Sequence, residues 1–288
     1  MGIIPCPNVD SRQLYDEIFS DDNLAKKTAS RMEMAKELSD VYREYVFKRY
    51  EEYIKVAPHF EQLVVSNEIS EDFKDILEYV FDHDSIFKNT KDKIKEDYTK
   101  IDPRCCICRI SPANTLDHYL SKSEFPEYTL FPPNLVPWCS DCNNIKRAGF
   151  LDENGDRKFL HLYFDSVIEQ PVLIFCFSYK NKQFNTFYMV DESVEGEVYD
   201  IYRRQFTQLN LGKRMKDYTN KAIQSIFMSF HGLYQYGGMK QCLFFAEQQL
   251  YIANRIYGIN HYEPAIYRSI LTNKDEFEEL IKHDDLFK

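Results

Sequence analysis

Apolar positions between residues 10 and 100 recur at helical spacing. Leu14 to Ile18 opens an amphipathic pattern, and Met34, Leu38, Val41 and Tyr45 continue one at i, i+4, i+7 and i+11, with Tyr42, Tyr50 and Tyr53 adding bulk. Phe73, Ile76, Leu77, Val80 and Phe81 trace a second stripe, which Ser70 caps just ahead of Glu71 and Asp72. Aromatic residues spaced in this way point to helix cores rather than to base-stacking platforms.

The pattern changes after residue 150. Asp152-Glu153-Asn154-Gly155 is a turn. Pro171 to Tyr179 and Phe184 to Val190 are rich in β-formers and are separated by Lys-Asn-Lys-Gln, which predicts a hairpin. Helices return from about Val198. Ile223, Ile226, Phe227, Phe230 and Tyr234 form one stripe ending at Gly237-Gly238. Leu243, Ala246, Leu250 and Ala253 form another, closed by Gly258. A last helix is predicted near Asp275 to His283. His161 reads as structural. The expected class is α+β and predominantly helical. Its regions are an N-terminal helical part (1–100), a small central core (101–150) and a hairpin with helices (151–288) that pack with the first.

The central segment carries the candidate chemistry. Thr115 to Tyr119 and Leu135 to Trp138 read as short strands, with Pro132-Pro133 closing the loop between them. Ser140 or Asp141 then caps a helix that puts Asn143, Lys146 and Arg147 on one face. Two Cys-x-x-Cys pairs, Cys105/Cys108 and Cys139/Cys142, bracket the strands. A two-residue gap lets both thiolates of a pair reach one ion, and four soft ligands suit tetrahedral zinc. Disulfides are disfavoured because the opening Met-Gly-Ile-Ile-Pro-Cys lacks a secretory pattern. Cys106 competes with Cys105, but Cys106/Cys108 leaves only one intervening residue, so Cys105 is the expected ligand.

The segment resembles the HNH endonuclease family in its four-cysteine, zinc-stabilised form. The resemblance rests on Asp117-His118, on Asn134 in Asn-Leu-Val-Pro, and on Asn143 in Cys-Ser-Asp-Cys-Asn-Asn-Ile-Lys. It implies a ββα-metal core with His118 as general base and Asp117 with Asn143 as ligands of a catalytic Mg²⁺ or Mn²⁺. It further implies that Asn134 pins the loop that orients His118. Asn143 stands where the family often has histidine, and its amide oxygen is a hard ligand suited to Mg²⁺. Lys146 and Arg147 are candidate contacts to substrate phosphate, against the alternative of a solvated helix face.

Charge modifies this picture. The net charge is −10, and all of it lies outside residues 101–150, which are neutral. Lys88, Lys91, Lys93, Lys95 and Lys100 offer a basic approach, interleaved with Asp92, Glu96 and Asp97. A free-standing DNA clamp would carry more positive charge. A protein partner such as an ATPase, or a homo-oligomer, is therefore expected to help deliver nucleic acid, DNA more than RNA. The expected setting is cytoplasmic, without a membrane, and by analogy an effector of anti-phage defence. The alternatives are a zinc-stabilised nucleic-acid-binding module and an interaction protein without catalysis. Neither needs Asp117, His118 and Asn143 together.

Overall fold

The computed structural model describes residues 4–25, 34–180 and 183–283. The protein is α+β and mostly helical, with two small antiparallel sheets. Two compact units divide the chain, one running up to Asp165 and the other from Ser166 onward.

The first unit opens with α1 (Ser11–Ile18), where the Asp10 carboxylate accepts from the Arg12 and Gln13 amides. The short α2 (Asp21–Leu24) follows Ser20, whose hydroxyl accepts from Asn23 N. Next come α3 (Ala35–Val56), α4 (Glu71–His83) and α5 (Ser85–Ile101). Ser70 caps α4 as expected, and Asp84 caps α5. Each cap satisfies an amide left without a partner by the first helical turn.

The sequence pattern located α3 but misjudged its buried face. Met34 and Val41 are 47% and 66% exposed, whereas Ala35, Ser39, Val46, Phe47, Tyr50 and Tyr53 are buried. The aromatic residues decide the orientation. Each removes more apolar surface from water than a valine or methionine. Tyr15 on α1 also donates to the Ser39 carbonyl at 3.0 Å, and Tyr42 stacks on Phe73 of α4 at 5.0 Å.

After α5 come β1 (Thr115–His118) and β2 (Leu135–Trp138), paired antiparallel from Thr115↔Trp138 to His118↔Leu135. Helix α6 (Ser140–Lys146) follows directly. Its cap is Cys139 rather than Ser140 or Asp141, with the sulfur accepting from Cys142 N at 3.4 Å.

The second unit is built on β3 (Leu173–Lys180) and β4 (Gln183–Val190), in register from Leu173↔Val190 to Lys180↔Gln183. Residues 181 and 182, in the expected turn, lie outside the described residues. Helices α7 (Glu197–Gln208), α8 (Leu211–Tyr257), α9 (Tyr262–Thr272) and α10 (Lys274–Ile281) complete the unit. Gly238 takes φ 63° inside α8, a conformation that costs glycine little. The chain reverses there. Fifteen residues of straight helix span about 22 Å, yet the Phe230 and Phe245 rings lie 5.4 Å apart. Among the described residues, no helix is long and apolar enough to cross a membrane.

Candidate metal and catalytic site

Cys105, Cys108, Cys139 and Cys142 are all buried, with their sulfurs within 4.8 Å of one another. The Cys108 and Cys139 sulfurs are 3.8 Å apart. A tetrahedron with Zn–S bonds of about 2.3 Å has S···S edges of about 3.8 Å, so this spacing suits a metal ion such as zinc. The loops supporting the cluster are tightly held. Cys105 N donates to Ser111 O at 2.7 Å, and Arg109 N to Cys105 O at 3.0 Å with Arg109 at φ 60°. Asp102 ties the first knuckle through Arg104 at 2.8 Å and Arg109 at 2.7 Å. Hydrogen bonds from the other three sulfurs hold the Cys139 thiol well below its ordinary value, while burial raises that of Cys105. Cys106 is buried but stands outside the cluster, in keeping with Cys105 as the expected ligand.

The hairpin places Asp117 and His118 at the end of β1. The His118 ring is buried against Phe81 of α4, 4.5 Å between centroids. Its Nε2 lies 2.9 Å from the Thr129 carbonyl oxygen. A carbonyl can only accept, so Nε2 carries the proton and Nδ1 the lone pair. Burial pushes the His118 pKa down to about 4, reinforced by Lys122, Lys146 and Lys91, so the ring is neutral at physiological pH. Of the basic stretch on α5, Lys91 sets its ammonium 4.1 Å over Phe81, and Lys100 pairs with Glu96 and Asp97.

Asn134 is fully buried and uses its whole amide. Oδ1 accepts from Leu120 N at 2.8 Å and from the Tyr53 hydroxyl at 3.2 Å. Nδ2 donates to Leu120 O at 2.9 Å and to Tyr128 O at 3.3 Å. The loop from 119 to 134 is thereby closed across its width, next to the Thr129 carbonyl that holds His118.

Behind Asn134 lies a layer that sequence reasoning missed. Tyr53 Oη is 2.9 Å from His161 Nε2, and Tyr163 N donates to His161 Nδ1 at 3.2 Å. His161 Nδ1 accepts, so its Nε2–H donates to Tyr53, which in turn donates to Asn134. Burial, with Arg157 nearby, lowers the His161 pKa well below its ordinary value. His161 is thus structural, as expected, and it supports the loop from 119 to 134 through Tyr53 and Asn134. No sequence signal links Tyr53 to His161 across 108 positions.

Lys146 is not on an exposed helix face. Its side chain is fully buried, with Nζ 2.8 Å from Asp117 Oδ2 and 2.8 Å from the His118 carbonyl oxygen. Burial raises the Asp117 pKa, against the opposing pull of Lys146. Arg147 leaves the helix at φ 54° and is exposed, so it does not share a helical face with Asn143 and Lys146. Asn143 is half-buried, and its amide makes no side-chain hydrogen bond among the described residues.

Asp117 and Asn143 each carry an oxygen of the hard-ligand type. Asp117 Oδ2 is buried, with the Lys146 ammonium 2.8 Å away. The Asn143 amide oxygen is a second hard donor. Among the described residues, the four cysteines are the one cluster of three or more His, Cys, Asp or Glu side chains able to hold a metal.

No known family pattern matches the chain, and no solved structure does. Protein ea31 of Escherichia phage lambda is similar over 88 residues at 31% identity, covering 28% of this chain and 30% of that protein. The chain thus spans under a third of that relative's length.

Proposed function

We propose that residues 105–147 form a zinc-stabilised HNH-type nuclease core that hydrolyses phosphodiester bonds with Mg²⁺ or Mn²⁺. DNA is the favoured substrate. The reading rests above all on His118, a neutral imidazole whose Nε2–H is fixed on Thr129 O, leaving Nδ1 as the proton acceptor.

In this scheme the four cysteines hold zinc and set the spacing between the hairpin and α6. His118 Nδ1 takes a proton from the attacking water. Its low pKa keeps the base form populated at neutral pH while making it a weak base, so placement contributes more than basicity. Asn134, backed by Tyr53 and His161, keeps the Thr129 carbonyl in position. A divalent ion held by Asp117 and Asn143 would neutralise the phosphate and the leaving 3′ oxygen. Exposed Arg147 is one cation placed to meet a neighbouring phosphate.

The neutral core within an acidic chain supports the further reading that a partner, an ATPase or a second copy, brings DNA to the site. Metal-dependent nicking of supercoiled plasmid by the zinc-loaded protein, lost in His118→Ala, tests the function. Zinc binding without cleavage under any divalent ion would favour a binding module instead.

A further inference from the structure

The geometry points to Lys146 as a resident counter-ion that holds the Asp117 carboxylate until a divalent ion displaces it, so that the ion binds weakly on its own and tightly with a phosphate. This inference rests on the reading of Asp117 as a metal ligand.

The Lys146 side chain has no solvent exposure and bridges Asp117 Oδ2 and the His118 carbonyl oxygen, both at 2.8 Å. A buried carboxylate needs a compensating positive charge, and Lys146 provides one without any metal. The bridge also ties the end of α6 to the end of β1, so the hairpin–helix corner is assembled before an ion arrives. A divalent ion at Asp117 Oδ2 would stand beside this ammonium and be repelled by it. Lys146 has other acceptors to retreat to. It already reaches the His118 carbonyl, and the Arg147 carbonyl oxygen lies at 3.5 Å. The negative charge of a bound phosphate would offset the crowding of cations, which couples ion binding to substrate arrival. Charge at an exposed lysine would not behave in this way, because water would screen it.

The test uses the zinc-loaded full chain and Mn²⁺ binding followed by electron paramagnetic resonance, without substrate. Lys146→Met should bind Mn²⁺ at least about tenfold more tightly than the parent protein. Asp117→Asn should abolish that binding in either background. Lys146→Met should also melt earlier than the parent without Mn²⁺ and recover with it, while the double variant should not respond. If Lys146→Met does not fold, the parent protein still gives an answer. The ¹⁵Nζ resonance of Lys146 should shift as Mg²⁺ is added. Equal or weaker Mn²⁺ binding by Lys146→Met, no Asp117-dependent binding in any variant, or an Nζ resonance indifferent to bound Mg²⁺ would each overturn the inference. Asp117-dependent Mn²⁺ binding with no nuclease activity would remove the nuclease reading and leave the role of Lys146 standing. His118-dependent cleavage with no gain in Mn²⁺ affinity would do the reverse.

Discussion

The imidazole of His118 donates through Nε2 to the carbonyl of Thr129, 2.9 Å away and eleven residues on in the chain. One hydrogen bond thus selects the tautomer, aims the ring and commits Nδ1 to the role of acceptor. The bond is only as well placed as the loop carrying Thr129, and that loop is closed by Asn134.

Asn134→Ala is expected to cost about 3 kcal/mol, because it strands the buried Leu120 amide and carbonyl and the Tyr53 hydroxyl together. Urea unfolding of zinc-loaded protein measures this. A loss well under about 1 kcal/mol would mean that the loop is held by other contacts.

Zinc and fold should depend on the four clustered cysteines and not on neighbouring Cys106. Cys139→Ser removes a ligand while leaving a hydroxyl able to cap α6, so zinc content and stability should fall together through the metal. Cys106→Ser should keep one zinc per chain. Metal analysis of the two purified variants decides the matter, and similar zinc loss in both would reassign the cluster.

Stability should also carry a pH signature. His118 and His161 are both held neutral in the folded chain, with pKa values lowered from an ordinary 6.5, that of His118 to about 4. Below about pH 6.5 the unfolded chain takes up protons that the folded one refuses, so stability is full above that value and falls towards pH 4. His161→Gln removes one such group. Over that window its stability should fall less steeply than the parent's, by up to about 1.4 kcal/mol per pH unit. Identical slopes in parallel denaturation series would show that His161 is not held neutral.

Asn143 offers a cleaner handle on the divalent ion, because its amide makes no side-chain hydrogen bond among the described residues. Asn143→Ala should leave the melting temperature nearly unchanged and raise the Mg²⁺ concentration needed for half-maximal cleavage. Asn143→Asp should preserve part of the activity. An unaltered Mg²⁺ requirement in the alanine variant would place Asn143 away from the ion.

Local signals were legible where one short stretch contained them. The strands at 115 and 135, the Ser70 cap and the paired cysteine knuckles all follow from spacing within a few residues. The sequence does not settle which face of α3 is buried, because Met34, Leu38, Val41 and Tyr45 fit a helical period as well as the buried set does. Only the bulk of Phe47, Tyr50 and Tyr53 breaks the tie. The apolar spacing does not mark α9, whose Pro264 stands in the first turn, where a proline is tolerated but interrupts the pattern. The burial of Lys146 against Asp117, and the Tyr53–His161 layer behind Asn134, join positions 29 to 108 residues apart. Such contacts are set by packing and leave no periodic trace in the chain.

In the proposed function, a histidine held by Thr129 and a divalent ion together cut DNA. The most direct measurement compares the parent protein with His118→Ala on supercoiled plasmid, across Mg²⁺ and Mn²⁺, at equal and verified zinc content. The parent should cleave only with a divalent ion, and His118→Ala should be slower by at least about 100-fold while keeping its zinc. Cleavage undiminished by the substitution, or a zinc-loaded parent that cuts under neither ion with any candidate partner present, would contradict it.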